Sequence, residues 1–262
     1  MDIVVCIKQV PETATVGLDR DTGFARRGEA KGIVNLADRH ALELALALKA
    51  AAGGKLVALA MGPAGADQAL RHALAAGADE AVLVSDAALA GSDTGATAAV
   101  LAAALRRLPD VGLVLTGEAS SDGATGQLAP RLAEALGQPV VTGVVEATLA
   151  GEAVTALRHG EGRRERVEVA TPVVLTASLD GPKPRIPNAM GVMKAAKKPL
   201  TTWSLADLGL SPEAVGAAGS HTAIRRAYKP EKRAQGEILT GTPEALAQGL
   251  LERLARKHMI EV

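Results

Sequence analysis

Aromatic side chains are almost missing: Phe24, Trp203 and Tyr228 are the only three in 262 residues. So few cannot assemble a stacking platform for single-stranded nucleic acid, and the core must be built from Ala, Val, Leu and Ile. Small helices lying close on a Val-rich sheet meet that demand. Cysteine is equally scarce. Cys6 is the single one; it cannot close an internal disulfide, and a lone buried cysteine behaves as a small hydrophobe. Neither sign of charge is in excess, because 29 basic residues balance 29 acidic ones. That removes the global field that draws a chain to nucleic acid or to an anionic membrane. No apolar run reaches about 18 residues without a charge or a Gly/Pro break, so no membrane insertion is expected. The opening Met1-Asp2-Ile3-Val4-Val5 has neither a basic n-region nor a long apolar h-region, and the expected localisation is cytoplasmic.

What is present is a soluble-protein composition, 48% hydrophobic and 22% charged, arranged as short apolar runs alternating with long Ala/Leu stretches. The runs at Ile3–Val5, Lys55–Ala60, Glu80–Val84, Val111–Thr116 and near Val140–Val145 are continuous rather than alternating, which suits parallel strands covered on both faces. Helices are predicted between them at Asp38–Ala50, Ala64–Ala76, Gly95–Leu108 and Thr125–Leu136. Gly77 and Gly137 are C-cap signals, and Ser92 or Asp93 can cap the third helix. This alternation predicts an α/β fold with a doubly wound, mostly parallel sheet. After about Gly151 the texture changes. Val154–Arg158 and Arg164–Val169 read as a hairpin inserted before Val173–Ala177, a strand able to rejoin the main sheet. A Pro-studded, irregular stretch follows from Gly181 to Leu200. The predicted organisation is a nucleotide-binding α/β domain over 1–217 and an arm over 218–262 that lies on a partner. The arm closes with a helix, Pro243–His258, capped by Thr242.

The sharpest candidate site is the loop Gly117-Glu118-Ala119-Ser120-Ser121-Asp122-Gly123-Ala124-Thr125-Gly126-Gln127. Its small residues let backbone N–H groups approach an anion, and it must sit at the carboxyl end of a parallel strand, where open α/β sheets bind ligands. It is neither a Walker A sequence nor GxGxxG; a helix cap with glycines for turn geometry is the equal competitor. The segment after Cys6, the Met61-Gly62-Pro63 turn and Asn35 face the same edge. Asn35 can bind a base or cap a helix, with Asp38 as the alternative cap. The other singular stretch is Pro184–Leu200, where Met190 and Met193 stand among small residues and lysines; adaptable docking to several partners competes with a solvated basic turn.

These residues resemble the β subunit of electron-transfer flavoproteins over nearly the whole chain. The resemblance rests on Val4–Pro11, on Asn35-Leu36-Ala37-Asp38, on Gly117–Gln127, and on Arg158–Leu200 with its Thr171-Pro172-Val173-Val174-Leu175-Thr176 and Met193-Lys194-Ala195-Ala196-Lys197-Lys198-Pro199-Leu200 runs. It implies a fold like that of adenine nucleotide α-hydrolases and a heterodimer with a larger α subunit that holds most of one FAD. It also implies a structural AMP contacted by Cys6, Asn35, Leu36, Ala37, Asp38, Met61, Gly117, Ser121, Asp122, Gly123, Ala124 and Thr125. Some members carry a second, redox-active FAD in place of that AMP. Electrons would come from acyl-CoA or related dehydrogenases, as in fatty acid oxidation, and leave to a membrane quinone oxidoreductase. Ala189, Met190, Gly191, Val192, Met193, Lys194 and Lys197 fall on the family's partner-docking loop. Met190 stands in for the usual leucine anchor. Glu165 falls on a glutamate that can pair with an α-subunit arginine near the flavin, while Thr13 replaces a tyrosine found there in some members. No acid, base, nucleophile or metal is implied in this chain, so it is expected to be a redox carrier rather than an enzyme. The competing reading is a stand-alone adenine-nucleotide-binding protein or ATP-hydrolysing enzyme of related fold. That reading needs a phosphate-cradling lysine or an acidic metal cluster, and leaves 181–262 unexplained.

Overall fold

The computed structural model describes residues 1–12, 32–225 and 236–260. The chain divides into two compact units, Met1–Arg225 and Arg226–Val262. The first therefore runs past the expected boundary at 217. The reason is local: Asp93 receives N–H bonds from His221 and Thr222 at 3.0 and 3.1 Å, and Ser220 Oγ accepts from Asp93 N at 2.8 Å.

Within this unit the chain runs β1 (Asp2–Cys6), β2 (Gln9–Pro11), β3 (Gly32–Val34), α1 (Leu36–Ala52), β4 (Leu56–Met61), α2 (Asp67–Ala76), β5 (Glu80–Val84), α3 (Thr94–Arg107) and β6 (Val111–Gly117). It continues through α4 (Leu128–Leu136), β7 (Val140–Ala150), β8 (Ala153–Gly160), β9 (Arg163–Ala170), β10 (Val173–Ala177), α5 (Ala189–Ala195) and β11 (Leu200–Trp203). Among the described residues one sheet has the order β11-β5-β4-β1-β6-β10-β7-β8-β9. It is parallel from β11 to β7 and antiparallel through the β7-β8-β9 meander. Side chains alternate across it with the period of a strand. Ile3 and Val5 join α1 and α2 on one face, whereas Val4 and Cys6 join α3 and α4 on the other. The sheet is thus covered on both sides, which is why its strands read as unbroken apolar runs.

Several elements depart from the sequence reading. The stretch Gly181–Leu200 is not irregular throughout: Asn188 caps α5 by accepting from Gly191 N at 2.8 Å, and Leu200 opens β11, which extends the sheet beside β5. Helix α4 begins at Leu128 rather than Thr125, because Ala124 and Gly126 adopt left-handed conformations, φ 48° and 63°, that a helix cannot contain. The pair β2–β3 forms a separate antiparallel ladder. In the second unit α6 (Pro243–Arg256) is capped by Thr242 Oγ1, which accepts from Ala245 N at 3.3 Å. None of its residues is buried within this chain.

Candidate functional site

Strand order reverses between β1 and β6. The chain proceeds from β1 to β4 and β5 on one side, then starts again at β6 and builds outward on the other. At such a switch point the two following connections diverge and leave a crevice at the strands' carboxyl ends. The crevice here is floored by a small polar network. Asp38, on the first turn of α1, accepts from Lys8 N at 2.7 Å, Gly117 N at 3.2 Å and Asn35 Nδ2 at 3.0 Å. Asn35 also donates to Ala119 O at 2.9 Å and accepts from Ser121 N at 3.2 Å. Asn35 and Asp38 therefore tie the start of α1 to the loop after β6. Asn35 stands at the N-cap of α1, but its side chain makes no capping bond to the helix.

Gly117 is fixed by that junction, because a Cβ there would lie 2.5 Å from Asp38 Oδ1 and 2.6 Å from Ala37. Burial pushes Asp38 up to about 6, against the opposing pull of its hydrogen bonds from Lys8, Asn35 and Gly117. Burial, with Asp38 adding to it, pushes the Cys6 thiol up to about 12. Cys6 is therefore no nucleophile at neutral pH.

Beyond Ser120 the loop is open. Ser121, Gly123, Ala124 and Thr125 are exposed, whereas Asp122 receives Lys8 Nζ at 2.6 Å and Ser120 Oγ receives the same ammonium at 3.3 Å. The N–H groups of Thr125 and Gly126 donate to no partner among the described residues. Those of Leu128 and Ala129 open α4, where a helix leaves its first donors unpaired. Small residues, left-handed turns and a helix start thus bring several backbone donors to one rim, the chemistry of an anion cradle. Leu36 is exposed and Ala37 buried at the neighbouring helix start, and Met61 is half-buried at the end of β4.

The family model for the electron transfer flavoprotein domain matches residues 23–208. The electron transfer flavoprotein subunit beta of Thermoanaerobacterium thermosaccharolyticum is 39% identical over 261 residues, covering 99% of this chain and 100% of that protein. The chain belongs to the electron transfer flavoprotein β-subunit family. Similar over full length are the caffeyl-CoA reductase-Etf complex subunit CarD of Acetobacterium woodii, 40% identical over 262 residues with 99% and 100% of the two chains covered, and the acryloyl-CoA reductase electron transfer subunit gamma of Anaerotignum propionicum, 34% identical over 267 residues with 99% and 100% covered.

Family membership directs attention to two further places. Met190, Val192 and Met193 are 63%, 57% and 73% exposed on α5, with Ala189, Lys194 and Lys197 exposed beside them. Gly191 faces inward, where a Cβ would come within 2.5 Å of Ala75 O on α2. The helix therefore sits hard against its support and turns its methionines outward. Glu165, on β9, is held by Arg158 and Arg163 at 2.7 Å each; Arg158 is its cross-strand neighbour on β8. The Arg163 and Arg158 guanidiniums hold the Glu165 carboxyl below its ordinary range. Thr13 lies outside the described residues.

Two functional contacts escaped the sequence reading. Lys8 reaches the Gly117–Gln127 loop, a contact signalled only by its place two residues past β1. Arg185 donates to Glu43 of α1 through Nε at 2.8 Å and Nη2 at 2.6 Å, a pairing across 142 residues that no local pattern announces. No helix of the described residues is long and apolar enough to cross a membrane.

Proposed function

We propose that this chain is the small subunit of a heterodimeric electron carrier whose larger α subunit holds most of the FAD. In this reading it binds AMP as a structural ligand in the β1–β6 crevice and docks redox enzymes through α5. The observation that carries the nucleotide assignment is the set of backbone N–H donors of Thr125, Gly126, Leu128 and Ala129, unpaired among the described residues, beside a polar floor that is already hydrogen-bonded. A phosphate fits those donors, and Lys8 brings a cation to the same loop. Asn35 and Asp38 act at one remove, because their polar atoms hold the loop in shape; the N–H groups of Thr125 and Gly126, with the exposed Gly123 and Ala124 beside them, are what meets the ligand. The flavin supplies the redox chemistry. This chain orients and presents it, with Glu165 kept ionised by its arginines at the hairpin expected to face the flavin. Cys6 stays protonated at neutral pH and Lys8 is engaged by Asp122, so neither is poised as a nucleophile.

In the form the family resemblance implies, electrons arrive from acyl-CoA or related dehydrogenases in the cytoplasm and leave to a membrane quinone oxidoreductase. The names of two relatives favour a second reading of the partner, a CoA-ester reductase in place of the quinone step. The test is co-expression with the adjacent open reading frame, denaturing release and identification of bound nucleotides. One FAD and one AMP per heterodimer are expected. A second FAD in place of AMP would sink the structural-AMP assignment, and ATP turnover by the isolated chain would sink the carrier reading.

A further inference from the structure

An open groove of about 690 Å³ lies between α2 and α5. Arg71, His72 and Ala75 of α2 line one side, and Ile186, Pro187 and Val192 the other. No carboxylate lines it among the described residues. Its one lining guanidinium, Arg71, has no carboxylate partner among the described residues. Arg71 spends Nη1 on the carbonyls of Ala195 and Lys198, at 3.0 and 3.4 Å, and its Nε and Nη2 have no partner among the described residues. Arg39 of α1 has a buried Nε with no hydrogen-bond partner. It stands close enough that, after burial, its charge is the second cause holding the His72 imidazole below its ordinary range. By contrast, Arg185 is closed by Glu43 and Lys49 by Asp79.

A guanidinium whose remaining donors face an open groove can form a charge-assisted pair with a carboxylate brought there by a docked protein. The apolar wall beside them asks for a hydrocarbon neighbour. We propose that the α2–α5 groove takes an acidic side chain, flanked by apolar residues, from the redox enzyme that docks on α5. The inference rests on the docking reading above and adds to it a charge-specific pocket behind the exposed methionines. Such a pocket selects among partners that the adaptable Met190 and Met193 surface would accept alike.

Ala196 lines the groove and is exposed, so it tolerates a longer side chain. The experiment uses the full heterodimer carrying Ala196→Glu, Ala196→Gln or Met190→Ser/Met193→Ser. It measures the carrier concentration that half-saturates the enzyme reducing wild type. Ala196→Glu places a carboxylate where the partner's would go and should raise that concentration on the order of tenfold more than Ala196→Gln, with flavin content unchanged. Equal effects of Glu and Gln would overturn the charge assignment, and no effect of either would overturn the groove. The methionine variant separates the two claims: if it changes nothing, docking through α5 itself fails.

Discussion

At the scale of single residues, the crevice mixes groups that shape it with groups that face outward, and the two respond differently to substitution. Gly117→Ala forces a methyl against Asp38 and Ala37, so the isolated chain should lose about 1–3 kcal/mol in a urea melt. Gly123→Val meets only Ser120 Oγ, at 3.3 Å from its Cβ position. It should leave that melt nearly unchanged while stripping AMP from the purified heterodimer; full AMP content would rule the loop out as the phosphate site. Asp38 gives a pH signature. Its folded pKa is raised from 3.8 to about 6, so its contribution is fully present below the unfolded value and is lost as pH rises through 6. The difference amounts to about 3 kcal/mol. Relative to Asp38→Asn, wild type should gain stability as pH is lowered from about 7.5 to about 5; parallel curves would mean that the carboxylate does not titrate there.

At the scale of elements, α5 is held by polar clamps at both ends. Arg185 grips Glu43 before it, and after it Lys198 Nζ donates to Leu74 O at 3.1 Å and Ala78 O at 2.5 Å, at the end of α2. The Arg185 guanidinium holds the Glu43 carboxyl below its ordinary range. The ionised pair therefore forms above the unfolded carboxylate pKa and fails only in acid. Glu43→Gln should cost about 1 kcal/mol globally but expose 183–188 to proteolysis; an unchanged digestion pattern would show that the clamp holds nothing. The same elements mark what was legible in the sequence. Strands β1, β4, β5, β6 and β10 could be read because burial on both faces leaves unbroken apolar runs. Helix α5 and strand β11 could not. Seven residues of α5 show no usable period, and β11 exists because β5 offers it an edge more than a hundred residues away. In the crevice, Asn35, Asp38 and Gly117 were legible as a place. Their task was not, since a side chain that could touch a ligand and one that ties a loop are the same letters.

At the scale of the whole molecule, the first unit carries its own two-sided core, while the second buries none of its helix within this chain. Truncation after Arg225 should therefore leave a cooperative thermal transition and abolish co-purification with the larger subunit. Loss of the transition would show that the arm is needed for the fold. The path of the chain across the sheet has a mechanical consequence. The segment carrying α5 leaves β10, a strand flanked by β6 and β7, and ends in β11, which among the described residues has β5 as its only neighbour in the sheet and four paired residues along it. A partner that tugs on α5 thus loads two anchors of unequal strength. The rim strand should yield first, peeling away as a fuse while the interior of the sheet, and the crevice at its centre, stay loaded but intact.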